Sequence, residues 1–222
     1  MKPGRNLVGW RTLLLRLAVT AVVLAIWFWT QSLLGARTPP AAGGIGDALH
    51  DLTAGLNSYF AQNTAAANAL LIVSSAFIDA LGLFLLGSWL FGGSLRPFLG
   101  LVLLMLLRQF LQALCSLPVP AGMIWHYPGF PSLLVTYHVA NDFFFSGHTA
   151  IAVFGAIELS RFHRKWLTVT SILLVLFEIA AVLVLRAHYT MDVLTGVLAA
   201  LWAARASERI APALDRRLAG NR

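Results

Sequence analysis

The chain has 222 residues, of which 59% are hydrophobic and only 11% charged. A soluble domain of this length carries roughly 25% charged residues, so the composition argues against a water-soluble domain and for a polytopic membrane protein. The net charge of +7 requires no nucleic-acid partner, because basic residues of membrane chains collect at their cytoplasmic ends.

One domain over 1–222 is expected, since a helix bundle of this size has one interior. The single cysteine, Cys115, rules out an intrachain disulfide and a cysteine-based metal site. A spanning helix needs about 20 largely apolar residues. Cutting the chain at charges and turn signals predicts six spans, at about 11–34, 66–91, 98–116, 145–161, 166–186 and 188–206. The first is long and lacks an A-x-A cleavage site after it, so it reads as a retained anchor.

The flanking cations follow one side. Lys2, Arg5, Arg11 and Arg16 stand at the start of the first span, and Arg96 between the second and third. Arg161, Arg164 and Lys165 join the fourth and fifth; Arg205, Arg209, Arg216, Arg217 and Arg222 close the chain. Only Arg37 and Arg186 flank spans on the opposite side. Both termini are therefore expected in the cytoplasm, in a cell membrane, with the longer loops facing the periplasm or exoplasm.

The first outer loop, "GIGDALHDLTAGLNSYFAQ" at 44–62, places Ile45, Leu49, Leu52, Leu56 and Phe60 at helical spacing. This predicts a helix lying in the outer interface, with a disordered linker as the alternative. The second, "LPVPAGMIWHYPGFPSLLVTYHVAND", holds four prolines and several aromatics, and predicts a rigid cap over a cavity. Trp125, Tyr127, Phe130 and Tyr137 fit either interfacial anchoring or a cage for a quaternary ammonium group.

Two polar runs fall on the outer side of this apolar chain: "NDFFFSGHTA" at 141–150 and "AHYTMDV" at 187–193. His188 and Asp192 are four residues apart, so on a helix they share a face. Asp192 is expected to accept the Nδ1 proton of His188, leaving Nε2 as a nucleophile. His148 follows Ser146-Gly147 at a predicted helix start, where free backbone N–H groups attract phosphate oxygens. Beside them it is placed to give or take a proton.

A lone histidine at a membrane interface is ordinarily just interfacial. Two such motifs at one depth, one with a carboxylate a turn away, argue for phosphoryl-transfer chemistry. His, His and Asp also suit zinc. A histidine nucleophile needs no metal, so no metal and no cofactor is expected. Asp79, Arg108, Glu158 and Glu178 lie within predicted spans, where charge is costly. Arg108 and Glu178 stand at similar depth, about 12 Å below the outer helix ends, and are expected to pair, with Asp79 the second choice.

These residues resemble the paired histidine motifs of sphingomyelin synthases, a branch of the type 2 phosphatidic acid phosphatase superfamily. "FSGHT" is followed 40 residues later by "HYTMDV", and "LRPFLGLVLLMLLRQFLQALCSLPVP" at 95–120 resembles the same family's upstream segment. Asp142 matches an aspartate six residues before the first histidine, with Asn141 in place of a glycine. "GIGD" keeps only Asp47 of a Pro-Leu-Pro-Asp motif.

The resemblance implies an all-α, six-transmembrane-helix bundle with an active site in the outer leaflet. It implies His188 as nucleophile oriented by Asp192, and His148 as the acid that then becomes the base. Asp142, Ser146, Gly147, Arg108, Arg186 and Tyr189 are the expected substrate-binding residues. Lipid phosphate phosphatases carry a Lys-x6-Arg-Pro motif and a Ser-Arg-x5-His motif. Here position 89 is Trp, and 181 and 182 are Ala and Val. Fewer cations suit a phosphodiester better than a phosphomonoester dianion.

The expected function is transfer of a phosphocholine- or phosphoethanolamine-type headgroup from a phospholipid donor to a lipid-alcohol acceptor such as ceramide, through a phosphohistidine. Water as acceptor would give phospholipase C activity. The alternatives are a lipid phosphate or diphosphate phosphatase, and an inactive lipid-binding relative.

Overall fold

The computed structural model describes residues 9–36, 45–137 and 143–220. Among them the regular structure is entirely helical: α1 (Trp10–Gly35), α2 (Ala48–Leu52), α3 (Ala54–Gln62), α4 (Thr64–Phe91), α5 (Arg96–Leu114), α6 (Gly147–Ser160), α7 (Lys165–Val184) and α8 (Thr190–Gly220). Local chemistry sets several boundaries. Pro97 stands in the first turn of α5, where its missing N–H costs nothing. Asp47 caps α2, and Ser146 caps α6 through a bond from the Thr149 N–H to its Oγ at 3.3 Å.

Among the described residues four helices are long and apolar enough to cross a membrane: α1 over Trp10–Leu33, α4, α5 and α7. The other two expected spans differ. The expected 145–161 span is the 14-residue α6. The expected 188–206 span is the start of the 31-residue α8, which runs on past Arg205 into a charged stretch and through Pro212.

The core lies where α4, α5, α6 and α8 meet, around Leu81, Leu85, Leu104, Phe145 and Phe154. Ala199, Ala200, Ala203 and Ala204 give α8 a small-residue face, which lets helices approach closely. α1 sits at the edge, with Leu14, Val22, Ile26 and Trp29 exposed. Arg16, read from the sequence as a flanking cation, is buried. Its guanidinium donates to the carbonyls of Trp89 at 2.6 Å and Gly92 at 2.7 Å, closing the end of α4.

Where one helix is expected within 44–62, residues 48–62 form two, broken at Thr53. The segment also faces the opposite way from an ordinary surface helix. His50 and Asn57 are buried against the bundle, while Leu52 is 79% exposed and Leu49, Leu56 and Tyr59 also face outward. Asn57 Nδ2 donates to the carbonyls of Val184 at 2.9 Å and Gly122 at 3.1 Å. The polar side grips the protein and Leu52, Leu56 and Tyr59 are turned away from it.

Among the described residues Asp79, Arg108, Glu158 and Glu178, the charges expected within spans, form no ion pair with one another. Asp79 accepts from the Ser132 hydroxyl and from the N–H groups of Leu133 and Leu134, anchoring the proline-rich loop. Glu178 accepts from the Ser74 hydroxyl at 2.6 Å. The expected ion pair of Arg108 with Glu178 or Asp79 is therefore not formed, because each carboxylate is committed to a nearer donor. Glu158 pairs with Arg96 at 2.8 Å and Arg161 at 3.3 Å, at the far end of α6 from His148.

Candidate active site

The two polar runs are joined directly: the Ser146 N–H donates to the Asp192 carbonyl at 3.1 Å. Gly196 permits this approach. A Cβ there would lie 2.8 Å from the Ser146 carbonyl oxygen. The start of α6 is thereby pressed against the first turn of α8, and His148 and His188 line one cavity.

That cavity is bounded by Arg108, Gly147, His148 and His188, with Trp27 and Gln31 of α1, Trp125 of the outer loop and the apolar Ile78 and Met105. Both histidines are 7% exposed and Arg108 is 8% exposed. The Trp125 ring meets His148 edge-on at 5.2 Å, and its indole N–H donates to the Thr136 carbonyl at 3.1 Å. Trp125, Leu134, Val135 and Thr136 of the proline-rich loop line the cavity. Trp125 lines the cavity and stacks at a tilt on Tyr137, whereas Tyr127 and Phe130 are about half exposed.

His148 Nε2 is buried and makes no hydrogen bond among the described residues. Arg108 crosses the start of α6. Its Nε donates to the Phe145 carbonyl at 3.0 Å, and a Cβ on Gly147 would lie 3.1 Å from that Nε. The first N–H groups of α6, those of Gly147 and His148, have no intrahelical acceptor. A guanidinium beside the positive end of a helix favours an anion between them.

His188 is oriented differently from expectation. Its Nδ1 donates to the Phe143 carbonyl at 2.8 Å, while Asp192 Oδ2 is 3.7 Å away, beyond hydrogen-bond distance. Asp192 Oδ2 instead accepts the Tyr189 N–H at 2.9 Å. In the first turn of α8 a carboxylate satisfies that free N–H, and this pulls it off the ring. The Nδ1 proton is held by a backbone carbonyl rather than by the Asp192 carboxylate. Phe143 carries no sequence signal for this role, because any residue supplies the same carbonyl.

Three of the expected binding residues, Arg186, Tyr189 and Ser146, lie outside the cavity lining. Arg186 donates to the Ala121 carbonyl at 2.6 Å, with a longer contact to the His50 carbonyl at 3.4 Å. The Tyr189 hydroxyl donates to the Pro118 carbonyl at 3.1 Å, and its ring stacks on His50. Both tie the outer loops to the α7–α8 turn. Ser146 is fully buried as the cap of α6, and Asp142 lies outside the described residues. Among the described residues no group of three or more His, Cys, Asp or Glu is arranged to hold a metal ion.

Trp27 and Gln31 carry no sequence signal for a place in the cavity, because a lone tryptophan or glutamine in an apolar span marks no site. Asp47 was noted only as the remnant of a motif. It accepts from the Thr190 N–H and hydroxyl, each at 2.6 Å, and so sets the start of α8.

Fold and site together define a class: a helical membrane protein whose buried cavity presents two histidines and an arginine at a helix start. The chain belongs to the AtPDCT1/2 family, whose model matches residues 47–209. Over 169 residues it is 24% identical to phosphatidylcholine:diacylglycerol cholinephosphotransferase 1 of Arabidopsis thaliana, an alignment covering 76% of this chain and 53% of that protein. The chain thus spans about half the length of the curated relative it matches. The relative's name gives phosphatidylcholine and diacylglycerol. No solved structure matches the chain.

Proposed function

We propose that this chain is a membrane phosphodiester transferase that moves a phosphocholine-type headgroup from a glycerophospholipid to a lipid alcohol. One observation carries the reading. His188 spends its Nδ1 proton on the Phe143 carbonyl, which leaves a lone pair on Nε2 in a cavity shared with His148 and Arg108.

In the first half-reaction, Nε2 of His188 attacks phosphorus and the bond from phosphorus to the glycerol oxygen breaks. Protonated His148 gives that oxygen its proton, and diacylglycerol leaves. The phosphoalcohol remains on His188 through a phosphorus–nitrogen bond. In the second half, His148 takes the proton of the acceptor hydroxyl as its oxygen attacks phosphorus. The electron pair of the phosphorus–nitrogen bond returns to Nε2, and both histidines recover their starting states.

Arg108 and the α6 N–H groups bind the non-bridging phosphate oxygens. Asp192, at 3.7 Å, stabilises the positive charge that develops on the His188 ring without holding its proton. α6 and the first half of α8 complete a six-span bundle with both termini in the cytoplasm. Arg96, Arg161, Arg164 and Lys165 at the end opposite the histidines support that orientation, which opens the cavity to the outer leaflet of the cell membrane.

The relative's name favours diacylglycerol as acceptor, and the motif resemblance favours ceramide. Purified full chain is incubated with phosphatidylcholine labelled in the choline, alone or with diacylglycerol or ceramide of distinct mass, and products are read by mass spectrometry. Label on one of the two alcohols supports the proposal and names the acceptor. Label only in free phosphocholine makes the chain a hydrolase. Activity confined to a phosphatidic acid control would sink the proposal in favour of a lipid phosphatase.

A further inference from the structure

A second, almost wholly apolar groove runs beside the histidine cavity, between α1 and α5. Val23 and Ile26 form one wall, Leu101, Val102 and Leu106 the other, and Leu86 of α4 contributes to the floor. It is continuous with the cavity: Trp27, Met105 and Leu134 line both.

The groove lies between two polar clamps that hold α1 to the bundle. At one end Arg16 holds the carbonyls that close α4, and the Trp89 indole donates to Thr20 at 3.1 Å. At the other, the Thr30 hydroxyl donates to the Gln109 carboxamide, whose Nε2 donates to the Trp27 carbonyl at 3.3 Å. Polar bonds inside a membrane hold two helices at a set distance, and the apolar side chains between these clamps do not close it. Phe98 marks the inner end of the groove and Gln109 the outer end. Eleven residues of helix separate them, or about 16 Å.

We infer that this groove seats one acyl chain of the donor glycerophospholipid while its phosphate lies between Arg108 and the histidines; the inference rests on the transferase reading above. The chemistry matches along its length. The outer end adjoins the polar cavity, and the rest offers only hydrocarbon. A hydrocarbon chain is the part of the substrate that matches such a lining in shape and polarity. The groove then fixes how deep the donor sits, and so which oxygen of the diester faces His148.

The test fills the groove from either wall. Val102→Trp and Val23→Trp are purified in detergent and assayed with dioleoyl- and dihexanoyl-phosphatidylcholine. Loss of two buried methylenes shifts an affinity by roughly tenfold. The ratio of KM for the long donor to KM for the short donor should therefore rise about tenfold or more in both variants. An unchanged ratio in variants that still turn over either donor overturns the inference.

A phosphatidylcholine with a diazirine midway along one chain gives an independent readout in the unmutated protein. It should label peptides from 21–27 or 98–109, and excess dioleoyl-phosphatidylcholine should suppress that labelling. Labelling elsewhere, or labelling that excess donor does not suppress, assigns the groove to bulk membrane lipid and overturns the inference. If the unmutated chain turns over neither donor, the transferase reading fails, and the photolabel still decides whether the groove takes the chain.

Discussion

Asp47 and Thr190 are 143 residues apart and are joined twice, by bonds of 2.6 Å from the Thr190 N–H and from its hydroxyl to the Asp47 carboxylate. The same carboxylate accepts the Leu49 N–H at 3.0 Å and the His50 N–H at 3.3 Å. One side chain therefore begins two helices, α2 outside the bundle and α8 within it. His50 Nε2 lies 2.9 Å from the His188 carbonyl, so the outer segment grips the turn that carries the proposed nucleophile.

Asp47→Ala should cost about 1 kcal/mol as a lost helix cap. It should lower kcat more than it raises KM, because Asp47 acts on His188 through Thr190 and His50 rather than on substrate. Thermal unfolding in detergent, with initial rates on phosphatidylcholine, checks both. An unchanged kcat would limit Asp47 to stability.

The same residue gives a pH dependence. Burial opposes its charge, but bonds from Thr190 and from the His50 N–H outweigh it and hold the carboxyl below its ordinary value of 3.8. A carboxyl depressed in the folded state stabilises at all pH above its unfolded value, and the gain is lost as pH falls through the folded one. The Tm difference between the parent and Asp47→Asn should be constant at neutral pH and shrink below about pH 3.8. A difference that shrinks already near pH 6 would implicate a histidine instead.

The two histidines should separate by leaving group. His188→Ala should abolish diacylglycerol release and any phosphorylated enzyme on every donor. His148→Ala should lower natural-donor turnover by about 10²–10⁴-fold, the ordinary worth of a general acid. It should recover partly on a nitrophenyl phosphodiester, whose leaving group needs no proton. Asp192→Asn should be milder than either, because the Phe143 carbonyl still fixes the His188 tautomer. Equal rescue of both histidine variants would point to direct attack by water.

Gly196→Ala places a methyl carbon 2.8 Å from the Ser146 carbonyl oxygen, in a spot walled by backbone. The start of α6 must then shift away from α8. Overpacking of this kind costs about 1–3 kcal/mol. Activity should fall further than Tm suggests, since His148 and His188 sit on the two sides of the contact. Gly87→Ala, which meets nothing within 4 Å, is the control that should leave both unchanged.

Ser74→Ala should destabilise by about 1–3 kcal/mol, because it strips the fully buried Glu178 carboxyl of its donor. Arg108→Gln and Glu178→Gln should then add within about 0.5 kcal/mol, as independent sites do. A coupling above about 1 kcal/mol in that double-mutant cycle would restore the pairing that the geometry denies.

What the sequence determined by itself was whatever follows from composition, period and local chemistry. Apolar length and sparse charge specify helices of membrane-spanning size. Ser146 before Gly147-His148 specifies a helix start, and Asp192 stands in the first turn of a helix, although that helix begins at Thr190 and leaves His188 in the turn before it rather than on it. Those features depend only on neighbours along the chain. Other relationships depend on which groups the fold brings together across the chain. The Nδ1 proton of His188 goes to Phe143 rather than Asp192 because a backbone carbonyl, available at every residue, happens to arrive closer. Glu178 finds Ser74, and Asp79 finds the Ser132–Leu134 loop, because a buried carboxylate takes the nearest donor rather than the most distant cation. The outer segment turns its polar face inward because His50 and Asn57 find unpaired carbonyls there, while its leucines face outward. A hydrophobic stripe fixes a helix's period, but only its surroundings decide which side of that helix is the inside.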